Sequence, residues 1–154
     1  TYSTTIHLII QALVKLSPHQ TIGGRKVYVA LPSDGWHSPI WKPDELGCKG
    51  AFSRSFVSAS LNSKAVLSGK PRAGLRQVVL EIELARNSLA VDVSWLSQYP
   101  LEEEVLIPAF TYYEVSAVFR YMKGICVSSA RPFLVLPTDS VLKDLDGREE
   151  RVAR

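Results

Sequence analysis

The sequence predicts an α+β domain whose strands pair mostly antiparallel. Only one long stretch has helical periodicity, and it lies near the start of the chain, over residues 4–17. After it, runs rich in β-branched and aromatic residues alternate with loops that contain Pro and Gly. One helix followed by consecutive strands is the element order of an α+β fold. We expect a single domain over residues 1–154, with a charged tail from about residue 143 that frays.

Each element follows from a local pattern. The first helix carries Ile, Leu and Val at helical spacing and is closed by Pro18. A second, short helix is predicted between Asn62, which can cap its first turn, and Gly69, which can end it. Extended segments are predicted over residues 25–31, 51–61, 76–85, 89–100, 102–110, 111–122 and 131–141.

Composition excludes several classes of protein. The 154 residues are 46% hydrophobic and 21% charged, which is ordinary for a globular domain, and the formal net charge is only +3. The basic residues are scattered, so no nucleic-acid partner is expected. The longest apolar segment, residues 6–16, is too short and too polar to span a bilayer. The histidines lack the ligand spacing of a metal site, so no metal is expected.

Three consecutive glutamates stand at the start of one predicted strand, in the segment "LEEEVLIP". If the chain is already extended at Glu102, then Glu102 and Glu104 share one face, and Val105 and Ile107 share the other and anchor the strand. Two carboxylates this close repel each other, which predicts a raised pKa for at least one of them. The pair would suit a cationic or electron-poor ligand. A solvated acidic loop is the open alternative.

The segment "YPLEEEVLIP" resembles the signature of the arginine-type mono-ADP-ribosyltransferases, a family built on an Arg, a Ser-x-Ser strand and a Glu-x-Glu pair. The wider resemblance, which is greatest to protist members, includes "TTIHLIIQALVKLS", "WKPDELGCKG", "FVSASL" and "DVSWLSQYP" in the family's order. It implies an N-terminal helix and two small, mostly antiparallel sheets around an NAD cleft. It also implies a monomer that transfers ADP-ribose from NAD to an arginine of a protein acceptor and releases nicotinamide.

The resemblance also implies roles for individual residues. Glu104 would hold the nicotinamide ribose and stabilise positive charge as the glycosidic bond breaks, and Glu102 would contact the acceptor guanidinium. Ser58, the first serine of "SAS", would position Glu104 and the nicotinamide end of NAD. Ser60 matches the second serine of the same strand and is a candidate cofactor-binding residue. Tyr99 would lie in a turn that meets the target protein, or else pack within that turn.

One position departs from the family pattern. The family places an arginine directly after an aromatic residue and before a glycine, where it anchors NAD. In "KVYVAL" that arginine position is Val29 and the glycine position is Ala30. We therefore expect weak NAD binding, with Arg25 and then Arg54 as the first substitutes to consider. NAD glycohydrolysis and a degenerate domain that only binds a ligand or partner remain alternatives to transfer.

Overall fold

The computed structural model describes residues 2–31, 39–45, 47–68, 78–122 and 125–134. Within this part of the chain two α-helices and eight β-strands follow one another. They are α1 (Tyr2–Leu16), β1 (Lys26–Ala30), β2 (Gly50–Ser53), β3 (Val57–Ser60), α2 (Ser63–Leu67), β4 (Val78–Glu83), β5 (Val91–Asp92), β6 (Glu104–Ile107), β7 (Thr111–Met122) and β8 (Ile125–Leu134).

The predicted strand over residues 51–61 is two strands, β2 and β3. The chain bends between them, where the Ser53 hydroxyl donates to the carbonyl of Ser55 at 2.9 Å. Such a local bond offers the backbone an alternative to the ladder. The two strands then pair with different partners, since β2 pairs with β7 and β3 pairs with β6. The "FVSASL" strand of the sequence pattern is therefore β3 alone.

Two further strands are shorter than predicted. The extended segment over residues 89–100 pairs only along β5, because the side chain of Asp92 accepts from the backbone N–H of Ser94 at 2.9 Å and turns the chain. The segment over residues 102–110 becomes a strand only at Glu104, since residues 100–102 form a 3-10 turn. Glu102 is therefore not part of an extended strand, and that premise was wrong.

The eight strands form one hydrogen-bonded series in the order β2-β7-β8-β4-β1-β3-β6-β5. Every neighbouring pair is antiparallel except β4 and β8. The link between β1 and β3 is a single residue pair, Tyr28 with Ser60, whereas β1 and β4 share five pairs. The expected two sheets are thus two groups of strands, β2-β7-β8-β4-β1 and β3-β6-β5, joined at one point.

The larger hydrophobic core lies on one face of this series and fixes which way β3 and β6 present their side chains. Ala59 of β3 and Val105 and Ile107 of β6 are buried in it, with Val57 packed against it. Because side chains alternate along a strand, Ser58, Ser60 and Glu104 face the opposite side. The predicted role of Val105 and Ile107 as anchors of the strand is confirmed.

Several sequence interpretations concern residues outside the described ranges. They are the helix end at Gly69, the part of the extended segment over residues 131–141 that follows residue 134, and the tail from residue 143. Among the helices that are described, none is long and apolar enough to cross a membrane. The described residues also hold no cluster of three or more His, Cys, Asp or Glu side chains that could hold a metal ion.

The anchoring of β6 can be tested with Val105→Thr. The substitution keeps the side-chain shape but places a hydroxyl at a position with 0% exposure, so the free energy of unfolding should fall by about 1–3 kcal/mol. Val14→Thr is the matched control, because Val14 is 40% exposed on α1 and the two residue types have similar helix propensity. Urea denaturation measures both. Equal losses at the two positions would contradict the anchoring role.

Candidate active site

The pairing of β3 with β6 brings a serine and a glutamate together on the face opposite the larger core. In the antiparallel register Ser60 lies opposite Glu104, and Ser58 lies opposite Leu106. The hydroxyl of Ser58 reaches diagonally along the pair and donates to Oε1 of Glu104 at 2.5 Å. The predicted meeting of Ser58 and Glu104 is confirmed.

The carboxyl group of Glu104 is held in its ionised form. The hydrogen bond from Ser58 is the largest influence and lowers the pKa of Glu104, and a hydrogen bond with the side chain of Ser97 lowers it further. Partial burial acts in the opposite direction but is outweighed. The sequence argument expected carboxylate repulsion to raise a pKa in this pair. Glu104 has the opposite shift, because hydroxyl donors and not its glutamate neighbours dominate its surroundings.

Ser97 is a site residue that the sequence argument missed. It lies in the turn that follows β5, where the N–H of Val93 donates to the carbonyl of Glu104 at 2.9 Å and so keeps the turn beside β6. The N–H of Ser97 donates to the carbonyl of Val93 at 3.1 Å, which closes the turn. The Asp92-x-Ser94 spacing is the signal that could have indicated this turn, since Asp at such a position bonds the backbone two residues on.

Glu102 reaches the same cleft by a different route from the one predicted. It ends the 3-10 turn of residues 100–102, and the next residue, Glu103, has a left-handed backbone with φ of 49°. This reversal lets Glu102 and Glu104 line one cleft although a turn, not a continuous strand, connects them. Glu103 is exposed.

Ser60 holds this turn in place. Its side chain is buried, and its hydroxyl donates to the backbone carbonyl of Glu102. The adjacent Leu61 donates its N–H to the carbonyl of Glu103 at 3.0 Å. Ser60 also lines the cleft, where the sequence resemblance puts NAD. The arrangement therefore gives Ser60 a structural task besides the cofactor contact that the resemblance implies.

The cleft has a volume of about 370 Å³, within the range of roughly 300 to 1,000 Å³ that is typical of small-molecule sites. It is open to solvent and lies across the junction of β1 and β3, with α2 at one side. Its lining residues are Tyr28, Val29, Ala30, Ser58, Ala59, Ser60, Ala65, Val66, Glu102 and Glu104.

No lysine or arginine occurs among these described lining residues. Val29, which the sequence resemblance assigns to the arginine position, lines the cleft and packs partly against the larger core. Its aliphatic side chain offers no charge and no hydrogen bond to a phosphate. Arg25 and Arg54, which the sequence suggested as substitutes, are exposed and are not among the cleft residues.

The segment between β5 and the glutamates is apolar and exposed. Trp95, Leu96, Tyr99 and Leu101 have exposed fractions of 69%, 66%, 61% and 86%. Tyr99 is therefore not a packed turn aromatic, and Trp95 is exposed as well. In a domain with an ordinary core, a run of exposed apolar side chains beside a cleft is typical of an interaction surface.

Comparison with known families decides the relationship that this geometry suggests. The family model described as ADP-ribosyltransferase exoenzyme matches residues 48–131, which is more than half of the chain and contains Ser58, Glu102 and Glu104. The chain belongs to the ADP-ribosyltransferase exoenzyme family. Val29 lies before the matched range, so the departure at that position is outside it. A sequence comparison with curated proteins finds no match.

Solved structures show that the fold is that of ADP-ribosyltransferases. The C3 exoenzyme of Clostridium limosum is 15% identical, with a TM-score of 0.61 over 83% of this chain and 67% of that one. The Salmonella SpvB ATR domain is 16% identical, with a TM-score of 0.60 over 85% and 71%. C3stau2 from S. aureus, solved with NAD, is 20% identical, with a TM-score of 0.55 over 81% and 71%. The predicted ADP-ribosyltransferase-like α+β fold is confirmed, while the similarity to protist members stays a prediction.

The influence of Ser58 on Glu104 can be measured directly. Ser58→Ala removes the main donor to the carboxylate, so the ionised form loses stabilisation and the pKa of Glu104 should rise. NMR titration of carbon-13-labelled glutamate side chains measures this change. Ser53→Ala is the control, since that hydroxyl donates to Ser55 and not to Glu104. An unchanged pKa of Glu104 in Ser58→Ala would contradict the hydrogen bond.

Proposed function

We propose that this family member transfers ADP-ribose from NAD to an arginine of a protein acceptor and releases nicotinamide. The observation that carries the proposal is the Ser58–Glu104 hydrogen bond inside an open cleft of this fold. A carboxylate that two hydroxyl donors hold ionised is suited to a substrate that develops positive charge. Glu102 is a second carboxylate in the same cleft, where its negative charge suits a cationic acceptor that binds beside that substrate.

Glu104 is proposed as the catalytic carboxylate. In the reaction the bond between ribose C1′ and the nicotinamide nitrogen breaks, and its electron pair leaves with nicotinamide. The ribose becomes oxocarbenium-like, and a negative charge held near it lowers the energy of that state. The low pKa of Glu104 keeps this charge present at neutral pH. Ser58 positions the carboxylate from β3.

Glu102 is proposed to orient the acceptor. A carboxylate can accept two parallel hydrogen bonds from a guanidinium group, which fixes the nitrogen that attacks C1′. The new C–N bond forms as one guanidinium proton is released to water. Glu102 is exposed at the cleft, so it can meet a side chain presented by another protein. The exposed side chains of Trp95 and Tyr99 would contact the surface around that arginine.

A degenerate domain that binds NAD or a partner without reaction is the second candidate. It is favoured by Val29 and Ala30, which leave the described cleft lining without a cation for the phosphates. NAD glycohydrolysis, in which water replaces the arginine, uses the same Glu104 chemistry. Incubation with labelled NAD and polyarginine separates the three, because it yields a labelled acceptor, free ADP-ribose or no product.

Glu104→Gln should lower both transfer and NAD cleavage by about a hundredfold or more, because the amide keeps the size but removes the charge. Labelled NAD reports both products in one assay, and circular dichroism checks the fold. Glu83→Gln, an exposed position at the end of β4, is the control that makes the same chemical change away from the cleft. Near-parental activity in Glu104→Gln would exclude Glu104 as the catalytic carboxylate.

Glu102→Gln should separate transfer from hydrolysis. It removes the charge that meets the acceptor guanidinium, worth about 1.5–3 kcal/mol for a charge-assisted bond, so transfer should fall by roughly one to two decades. NAD cleavage in water should fall much less, because Glu104 is unchanged. If both activities fall equally, Glu102 belongs to the handling of NAD and the acceptor role is wrong.

A further inference from the structure

We propose that Asn62 is a positioning residue that sets where Glu102 stands at the cleft and so selects transfer over hydrolysis. The proposal rests on the proposed function, because it assigns Glu102 to the acceptor. Asn62 follows β3 and precedes α2. The oxygen of its side-chain amide accepts hydrogen bonds from α2, and the nitrogen donates one to the turn that contains Glu102.

The oxygen of the amide caps α2. Oδ1 of Asn62 accepts from the backbone N–H groups of Lys64 at 3.1 Å and Ala65 at 3.3 Å. The helix is only five residues long and has no buried residue, so its first turn depends on this cap. Ala65 and Val66 line the cleft, which makes the cap a support of the cleft wall.

The nitrogen of the same amide holds the glutamate turn. Nδ2 of Asn62 donates to the carbonyl of Leu101 at 3.2 Å. The orientation of the amide is determined by its partners, since its oxygen faces two N–H donors and its nitrogen faces a carbonyl. Leu101 is 86% exposed, so its own side chain does little to fix the turn. Asn62 therefore ties residue 101 to the cleft wall from outside the turn.

The two glutamates depend on this bond to different degrees. Glu104 lies in β6, whose backbone pairs with β3 over four residue pairs, and Ser58 holds its carboxylate directly. Glu102 has no ladder of its own and stands one residue after Leu101 in the turn. Ser60 still holds the carbonyl of Glu102 when the bond from Asn62 is lost, so we expect the turn to loosen at Leu101 and shift the Glu102 side chain without opening. Glu104 should stay in place. A displaced acceptor carboxylate slows transfer, while water can still reach C1′.

Two substitutions keep the cap and remove the donor. Both Asp and Ser cap helices about as well as Asn. An ionised Asp has no donor, and the hydroxyl of Ser ends one bond short of the amide nitrogen that reaches the carbonyl of Leu101. Asn62→Asp adds a charge near the glutamates, whereas Asn62→Ser does not, so an effect common to both comes from the lost donor. Asn87→Asp, at an exposed loop position between β4 and β5, controls for the added charge. Asn62→Ala removes cap and donor together.

We expect Asn62→Asp and Asn62→Ser to lower transfer to polyarginine by roughly five- to tenfold, with NAD cleavage changed by less than about twofold. Asn62→Ala should lower both activities, because the cleft wall then frays as well. Asn87→Asp should match the parent. Near-parental transfer in both capped variants would overturn the proposal, and so would an equal loss of transfer and cleavage.

Hydrogen exchange keeps the test independent of enzyme activity. The N–H groups of Glu102 and Glu103 bond within the turn, at 3.0 Å to Tyr99 and 3.2 Å to Pro100. In Asn62→Asp and Asn62→Ser they should exchange about fivefold faster, while residues 64–68 of the α2 region exchange as in the parent. If the parent neither transfers nor cleaves, the proposed function fails. The role of Asn62 is tested separately, because unchanged exchange at residues 102–103 in the two variants would overturn it whatever the activity of the parent.

Discussion

The antiparallel pairing of β3 with β6 is the constraint on which the candidate site depends. Because alternate side chains face opposite ways, a slip of one residue would turn Ser58 or Glu104 into the core and separate the two side chains. Burial of Ala59, Val105 and Ile107 in the larger core makes such a slip costly. Apolar packing on one face thus determines the contact between two polar side chains on the other, and the 2.5 Å hydrogen bond follows from the register.

The two carboxylates of the cleft belong to elements of different rigidity, a paired strand and a short turn. Glu104 is part of a paired strand and receives hydroxyl donors from β3 and from the turn after β5. Glu102 sits in a 3-10 turn whose carbonyls are held by Ser60, Leu61 and Asn62. A bond-breaking step needs a charge fixed close to one carbon atom, whereas an acceptor arriving on another protein tolerates a more adaptable contact. The rigid position of Glu104 thus suits bond breaking, and the more adaptable position of Glu102 suits binding of the acceptor.

Much of the fold was predictable, and the failures have a common physical cause. Local patterns predicted α1, the cap at Asn62 and the inward face of Val105 and Ile107, because those features depend on neighbouring residues. The resemblance to a family predicted that Ser58 meets Glu104. The break between β2 and β3, the turn at Glu102 and the part of Ser97 were missed. Side-chain hydrogen bonds decide them, and the turn at Glu102 also requires a partner 42 residues away, Ser60.

The single pair that joins β1 to β3 has a mechanical consequence. Splaying the strands anywhere else in the series breaks at least two residue pairs, but parting the two groups breaks only Tyr28 with Ser60. The cleft lies over that seam, and both residues of the pair line it. The backbone ladder is thus weakest across the cleft, where the shared core of Val27, Ala59 and Val105 holds the two groups together. A molecule bound across this junction would add contacts between the two groups of strands and make the sheet more rigid. Without such a molecule, slow opening motions of the protein should be largest there.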